Sequence, residues 1–203
     1  MFRRAPLLFL AVASIAIAVP ATAQIGGSEG YKMLEAVRKS DGDALTKMLS
    51  KPGATVVNYR DPTTGEGAIH IVVRRSDSTY LRFLLAHDAD PNLRDGKGTT
   101  PLMLAVESSF EGAIPVLVKA GASVDLANSS GETPLIRAVQ NHNLELVREL
   151  LAEGADPDKT DVIAGRSARD YARLDGRAPD IAKVLSAIPK KVKRDLSGPV
   201  LSR

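Results

Sequence analysis

Three histidines, His70, His87 and His142, have the widest scope for acid–base chemistry or metal binding in this 203-residue chain. No two of them have the i, i+4 spacing of a helical metal site, and the chain has no cysteine to supply a thiolate ligand. His87 and His142 fall at predicted helix ends or loops, where we expect them to be solvated. The glycine-rich segment 26–30 lacks the Lys-Ser/Thr pair of a phosphate loop. We therefore predict a protein that is not an enzyme and that needs no metal or cofactor.

The N-terminus has the features of an export signal. Arg3 and Arg4 make a basic start, residues 7–19 form an apolar run, and an Ala-Thr-Ala sequence ends at Ala23. The run of 13 residues is short for a membrane span, which needs about 20. We predict cleavage after Ala23, a periplasmic or secreted protein, and no membrane contact after cleavage.

The basic residues are unevenly distributed along the chain, whose formal net charge is +3. Residues 1–23 contain two basic side chains and no acid, and residues 189–203 contain five basic side chains and one acid. The intervening body has 20 basic and 23 acidic residues, so it is slightly acidic. A nucleic-acid groove needs the opposite distribution. We predict a body that does not bind nucleic acid and a basic, disordered tail over 189–203.

Two sequence markers repeat with one period of about 33 residues. The string TTPLMLAV at 99–106 recurs as ETPLIRAV at 132–139, with weaker copies one period upstream and downstream. The second marker is a short acidic string that ends at Asn92, Asp125 and Asp158, again 33 residues apart. Because both markers keep the same register, they indicate a stack of similar structural units.

These markers resemble the ankyrin repeat, whose unit has a G-x-T-P-L-H-x-A first helix, a second helix ending in Leu-Leu, and a G-A-D-x-N connection to a β-hairpin. The resemblance extends over 31–188, after a flexible segment at 24–30, and implies an all-α ankyrin-repeat solenoid of about five helix-turn-helix units with β-hairpin loops. The expected units cover about 31–60, 61–94, 95–127, 128–160 and 161–188. The resemblance also implies that His70, in the TPLH position, makes structural hydrogen bonds between hairpins.

Local residue chemistry supports these helix limits. Thr100 and Thr133 suit the N-cap position, because their hydroxyls can accept from early backbone N–H groups. Gly121 and Gly154 follow the second helices, where a left-handed residue is favoured. Arg169 stands where the other units have a buried apolar residue, so we predict that the fifth unit is a C-terminal cap with a wet outer face.

An ankyrin stack implies a concave face, lined by hairpin tips and first helices, that binds a protein partner. The candidate partner-binding residues at these positions are Arg60, Arg74, Arg75, Arg94, Lys97, Glu107, Glu132, Gln140 and Asn141. The basic residues among them concentrate in the early units, which predicts a partner with an acidic patch. We predict a monomeric periplasmic scaffold or adaptor. A secreted effector that binds host proteins, or an accessory factor protecting a periplasmic redox enzyme, are the alternatives.

Overall fold

The computed structural model describes residues 27–50 and 55–190, which form five successive helix pairs, here called units one to five. The helices are α1 (Glu29–Lys39), α2 (Gly42–Leu49), α3 (Ala68–Arg74), α4 (Ser78–Ala86), α5 (Pro101–Glu107), α6 (Ile114–Lys119), α7 (Pro134–Gln140), α8 (Leu144–Ala152), α9 (Ala168–Leu174) and α10 (Pro179–Ala187). Within these described residues, no helix is long and apolar enough to cross a membrane. The predicted all-α solenoid is confirmed.

The first helix begins earlier than expected, and two predicted segments fall outside the described residues. Ser28 accepts the backbone N–H of Tyr31 and caps α1, so the segment predicted as a flexible start already contains a helix N-terminus. The predicted signal peptide and the tail beyond Lys190 lie outside the residues that the structure describes.

The residues expected to begin and end helices do so. Thr100 Oγ1 and Thr133 Oγ1 each accept a backbone N–H at 3.2 Å from the third helical residue that follows. Gly121 and Gly154 have φ angles of +98° and +90°, the left-handed conformation that closes a helix. Pro115 is harmless because α6 begins at Ile114, which places the proline in the first turn.

One hydrophobic core runs through the whole stack, because each first helix packs against its own second helix and against the first helix of the next unit. Leu102, Ala105 and Val106 of α5 are fully buried, with the i, i+3, i+4 spacing of an apolar helix face. Ala138 of α7 is the counterpart of Ala105 one repeat later and is also fully buried. A small side chain at this position allows the packed helices to approach closely. Burial of each Leu or Val side chain contributes about 1.5–3 kcal/mol.

The second sequence marker joins neighbouring units. Asn92 donates from its amide nitrogen to the carbonyl of Gly121 at 2.9 Å and accepts from the backbone N–H of Ser123 at 2.7 Å. Asn58 makes the same pair of bonds one unit earlier. Asp125, which has no amide hydrogen, keeps only the accepting bond, from the next unit's backbone at 2.9 Å. The repeated Asn/Asp therefore satisfies backbone groups at the end of the following second helix.

The connections between units are tight hydrogen-bonded turns rather than paired strands. Asp95 Oδ1 accepts the backbone N–H groups of Lys97 (2.8 Å) and Thr99 (2.7 Å), and Asp or Asn occupies the same position in the other turns. The turns of units two and five have one extra residue, and each closes with a single β-bridge, Arg60 to Gly67 and Thr160 to Ser167. We call these turns hairpins below.

Each hairpin also contacts the next hairpin along the stack. The backbone N–H of Gly96 donates to Thr64 (2.8 Å), that of Ser129 to Lys97 (3.1 Å), and that of Val162 to Ser130 (3.1 Å). One backbone bond therefore joins each neighbouring pair from unit two to unit five. This row holds the hairpin tips in a fixed arrangement beside the first helices.

Arg169 itself is not part of the solvated outer face predicted for the fifth unit. The Arg169 side chain is only 14% exposed. Its guanidinium donates to both carboxylate oxygens of Asp158, at 2.9 and 3.2 Å, and to the carbonyl of Leu185. The terminal unit tolerates this substitution because the arginine is paired with a carboxylate and a helix-end carbonyl. Arg173, one turn later, is 76% exposed and provides the wet surface.

Candidate protein-binding groove

A groove of about 490 Å³ lies between the hairpins of units three and four and the first helices of units two to four. We call it the binding groove; its lining includes Lys97, Ser129 and Glu132 from the hairpins and Arg74, Glu107 and Arg137 from the helices. A depression of about 530 Å³ continues it toward the hairpin of unit two and shares Arg74 and Lys97. The groove therefore has hairpin tips along one side and first helices along the other.

Four of the nine predicted partner-binding residues line this groove: Arg74, Lys97, Glu107 and Glu132. Two other arginines lie against their own hairpins, since Arg60 Nε donates to the carbonyl of Gly65 at 3.1 Å and the Arg94 guanidinium packs close to Gly98. Gln140 and Asn141, at the end of α7, are not among the residues that line it.

Arg75 was assigned to the wrong surface. Its Nη1 donates to the carbonyl of Val37 at 2.8 Å, and its Nη2 donates to Asp77 at 3.2 Å. The side chain thus covers the C-terminal end of α1, in the preceding unit, and its guanidinium lies 5.9 Å from the Tyr80 ring centroid. One residue of helix rotates a side chain by about 100°, which separates Arg75 from the groove-lining Arg74.

Ion pairs neutralise most of the charges on the helix side of the groove. Arg74 pairs with Glu66, and Arg137 lies 2.6 Å from Glu132 and 3.5 Å from Glu107. Partly exposed pairs of this kind contribute little to stability, about 0–1 kcal/mol each. Arg60, Arg94 and Lys97, the predicted site cations on the hairpins, form no ion pair with a carboxylate among the described residues. Among the predicted site residues, the unpaired positive charge is therefore on the hairpins.

Arg137 lines the groove but was not among the predicted partner-binding residues. It lies on α7 between two glutamates, and its buried Nε atom makes no hydrogen bond within the part of the chain that the structure describes. Leu104 occupies the same position one repeat earlier and also lines the groove. Both residues come three positions before the predicted site residues Glu107 and Gln140. The i, i+3 spacing that puts residues on one helix face would have identified them.

His70 makes the structural hydrogen bonds that were expected. Its ring is fully buried, with Nδ1 accepting the backbone N–H of Gly67 at 3.1 Å. Nε2 therefore carries the proton and donates to the carbonyl of Thr99, 3.2 Å away on the next hairpin. Burial lowers the pKa of His70 below its ordinary value, which favours this neutral form. Both nitrogens are used, so neither is free for catalysis.

His142 is exposed, as predicted, and its Nε2 also lies 2.6 Å from Asp175 Oδ2. This contact joins the end of α7 to the end of α9. The pKa of Asp175 is held well below its usual range, most strongly by the side-chain hydrogen bond from Arg177 and then by that from His142. His87 packs on the Phe83 ring, with 4.6 Å between ring centroids.

In the part of the chain that the structure describes, these histidines belong to no cluster of metal ligands. Ser28 is the serine of a Gly-x-Ser-x-Gly sequence, but its hydroxyl caps α1. The rings of His70, His87 and His142 contact other residues. Across residues 27–50 and 55–190, no three His, Asp or Glu side chains converge as metal ligands would.

The fold is a repeat solenoid with an exposed groove across units two to four. The ankyrin-repeat sequence pattern, in three copies, matches residues 33–128 and 69–161, which together exceed half of the chain. The chain belongs to the ankyrin-repeat family, whose repeats are typically non-catalytic protein-interaction modules.

Known proteins share this region with the chain. Neurogenic locus notch homolog protein 1 of Danio rerio is 34% identical over 148 residues, 72% of this chain and 6% of that protein. The Homo sapiens protein of the same name is 34% identical over 85 residues, 42% of this chain and 3% of that protein. Regulatory protein NPR6 of Arabidopsis thaliana is 36% identical over 93 residues, 44% of this chain and 20% of that protein. The chain spans only a small part of the length of these relatives.

Proposed function

We propose that this protein is a non-catalytic interaction scaffold or adaptor that holds a protein partner in the binding groove. The observation that supports this proposal best is the groove itself, which extends across three units and is walled by hairpins already fixed to one another. A surface that is ordered before binding loses less conformational entropy when the partner arrives.

The charges of the groove favour a partner segment that carries acidic side chains. Lys97 is exposed at the hairpin tip and forms no ion pair among the described residues, and Arg94 lies on the same hairpin. Acidic partner groups would therefore meet the hairpin side, because Arg74 and Arg137 on the helix side already have glutamate partners. Leu104 adds an apolar part to the floor. Exposed charges of this type act mainly on the association rate and its salt dependence.

Reversing the hairpin charges should weaken partner capture. We expect the double change Arg94→Glu with Lys97→Glu to reduce capture at least about tenfold at low salt, because like charges then face the partner's acidic groups. The measurement is quantitative mass spectrometry of proteins retained from an extract of the native host by immobilised wild-type and variant chains.

The matched control is Arg82→Glu with Arg148→Glu, which makes the same charge change at exposed positions of the second helices α4 and α8. Its helical content, like that of the groove variant, should equal that of the wild type. A partner that is lost from both variants alike would show that only net charge matters. A partner lost only from the control would place the binding surface on the second helices.

We further propose that residues 1–23 are an export signal and that the protein acts in the periplasm or outside the cell. The support is the basic start, the apolar run and the Ala-Thr-Ala sequence. We expect protein recovered from its native host to begin at Gln24, as measured by intact mass. Replacing Ala21 and Ala23 with arginine should leave the uncleaved form. A wild-type mass that includes residues 1–23 would contradict the proposal.

A further inference from the structure

The end of the stack formed by unit five has an unusual composition at two repeated positions. In units two to four, the second and sixth residues of the first helix are buried and apolar: Ile69, Leu102 and Leu135, and Val73, Val106 and Val139. In unit five the same two positions are Arg169 and Arg173. Two arginines therefore occupy positions that are apolar in the three preceding units.

A cleft of about 790 Å³ lies on this end, between α9, α10 and the residues that follow α10. We call it the end cleft. Its charged lining is entirely basic: Arg169, Arg173, Lys183 and Lys190. Ile188 and Pro189 provide apolar lining beside these cations. Arg169 and Arg173 pair with Asp158 and Asp170, whereas the two lysines form no ion pair within the described residues.

We propose that the end cleft is a docking surface for anionic phospholipid headgroups of a membrane, which the protein contacts without spanning. The cations would pair with an anionic headgroup, and the apolar side chains beside them would contact the first carbons of its acyl chains. The four basic side chains of the end cleft reach the lower limit of the four to eight that are typical of anionic-lipid binding.

The charge of the rest of the molecule supports this orientation. Residues 24–188 are slightly acidic in total, so attraction to an anionic surface is concentrated at the end cleft. Docking by unit five would leave the binding groove of units two to four available for a protein partner. The proposal replaces the expectation from sequence that the protein makes no membrane contact after cleavage, and it does not depend on the groove.

Vesicle co-sedimentation of the full chain tests the proposal. We expect binding to vesicles containing phosphatidylglycerol and much weaker binding to phosphatidylcholine vesicles. Lys183→Glu with Lys190→Glu should weaken partitioning to the anionic vesicles by at least about 25-fold, because each cation near such a surface contributes about fivefold. Arg82→Glu with Arg148→Glu, with the same charge change on other exposed helices, should retain most of the binding. All three chains share the apolar run at 7–19, so its contribution cancels.

Several results would contradict lipid docking at the end cleft. Equal loss in both double variants would overturn the proposal, because net charge alone would then explain binding. Equal binding to both vesicle types, or to neither, would also overturn it. If inorganic phosphate releases the wild type from anionic vesicles but sodium chloride of the same ionic strength does not, the cleft binds free phosphate instead. Capture of a DNA oligonucleotide as strong as that of the anionic vesicles would show a general polyanion surface and contradict lipid docking.

Discussion

Replacement of His70 by alanine is expected to lower the free energy of unfolding by about 2–5 kcal/mol. The change removes a fully buried ring and leaves the N–H of Gly67 without its hydrogen-bond partner, while the carbonyl of Thr99 keeps only the bond from the backbone N–H of Asp95. Each unsatisfied buried polar group costs about 1–3 kcal/mol, and the cavity adds to the loss. Urea unfolding followed by circular dichroism measures the effect. His87→Ala, at a partly exposed ring, should cost no more than about 1 kcal/mol, as expected for loss of one aromatic contact.

The effect of His70 should also depend on pH. Burial lowers the pKa of His70 in the folded protein, so between the folded pKa and the ordinary value near 6.5 the unfolded chain binds more protons. The stability that the neutral His70 ring contributes should therefore be fully present above about pH 6.5 and should decrease as pH falls below that value. The difference in unfolding free energy between the wild type and His70→Ala should narrow in the same range. A constant difference from pH 7.5 to pH 5.5 would contradict a buried neutral ring.

Replacement of Gly131 by alanine is expected to destabilise the stack by about 2–4 kcal/mol. Gly131 has φ +76°, which is unfavourable for a residue with a Cβ atom. An added Cβ would lie 2.6 Å from the backbone nitrogen of Val162, on the next hairpin, so the two hairpins would have to separate. That movement would also disturb the hydrogen bond from Val162 to Ser130. Thermal and urea unfolding of the variant measure the loss.

Gly165→Ala is the matched control for this change. Gly165 has φ +61°, a similar left-handed conformation, but nothing lies within 4 Å of an added Cβ. The control should therefore show only the backbone penalty, about 1 kcal/mol. Equal losses in the two variants would mean that contact between hairpins adds nothing to the stability of the stack.

The repeat could be predicted from sequence because the same short-range interactions begin and end the helices of successive units. A threonine that caps a helix, a proline in the first turn and a left-handed residue at a helix end act over three or four residues, as at Thr133, Pro134 and Gly154. The second marker acts over a longer distance, because Asn92 and Asn58 bond to the following unit. It recurs in the sequence because both residues make the same pair of bonds. Contacts that recur with the repeat are visible as a period.

The candidate groove was predictable only in part. Lys97 and Glu132 follow from their places in the hairpins, and Arg74 and Glu107 from their place in the last turn of a first helix. Gln140, at the same helix position, does not line the groove, and the partner-binding role of all these residues stays a prediction. Arg137, which lies on the same helix face, was not among the predicted partner-binding residues.

The contacts that could not be predicted from sequence are those of residues whose partners belong to another unit or another helix. Arg75 reaches the end of α1, His142 reaches Asp175, and Arg169 reaches Asp158 and the last turn of α10. None of these contacts recurs at the same position in the other units. A search for periodic patterns therefore has no signal by which to find them.

The sequence by itself determined the class of fold, the number of units and the limits of most helices, because these depend on short-range caps, turns and a repeated apolar stripe. The tertiary structure alone decided which charges are available to a partner. Arg74 and Arg137 are neutralised by neighbours, whereas Lys97 and the lysines of the end cleft form no ion pair in the described residues. The physical reason is that the net charge at a surface depends on side chains brought together across units, and the order of residues along one helix does not contain that information.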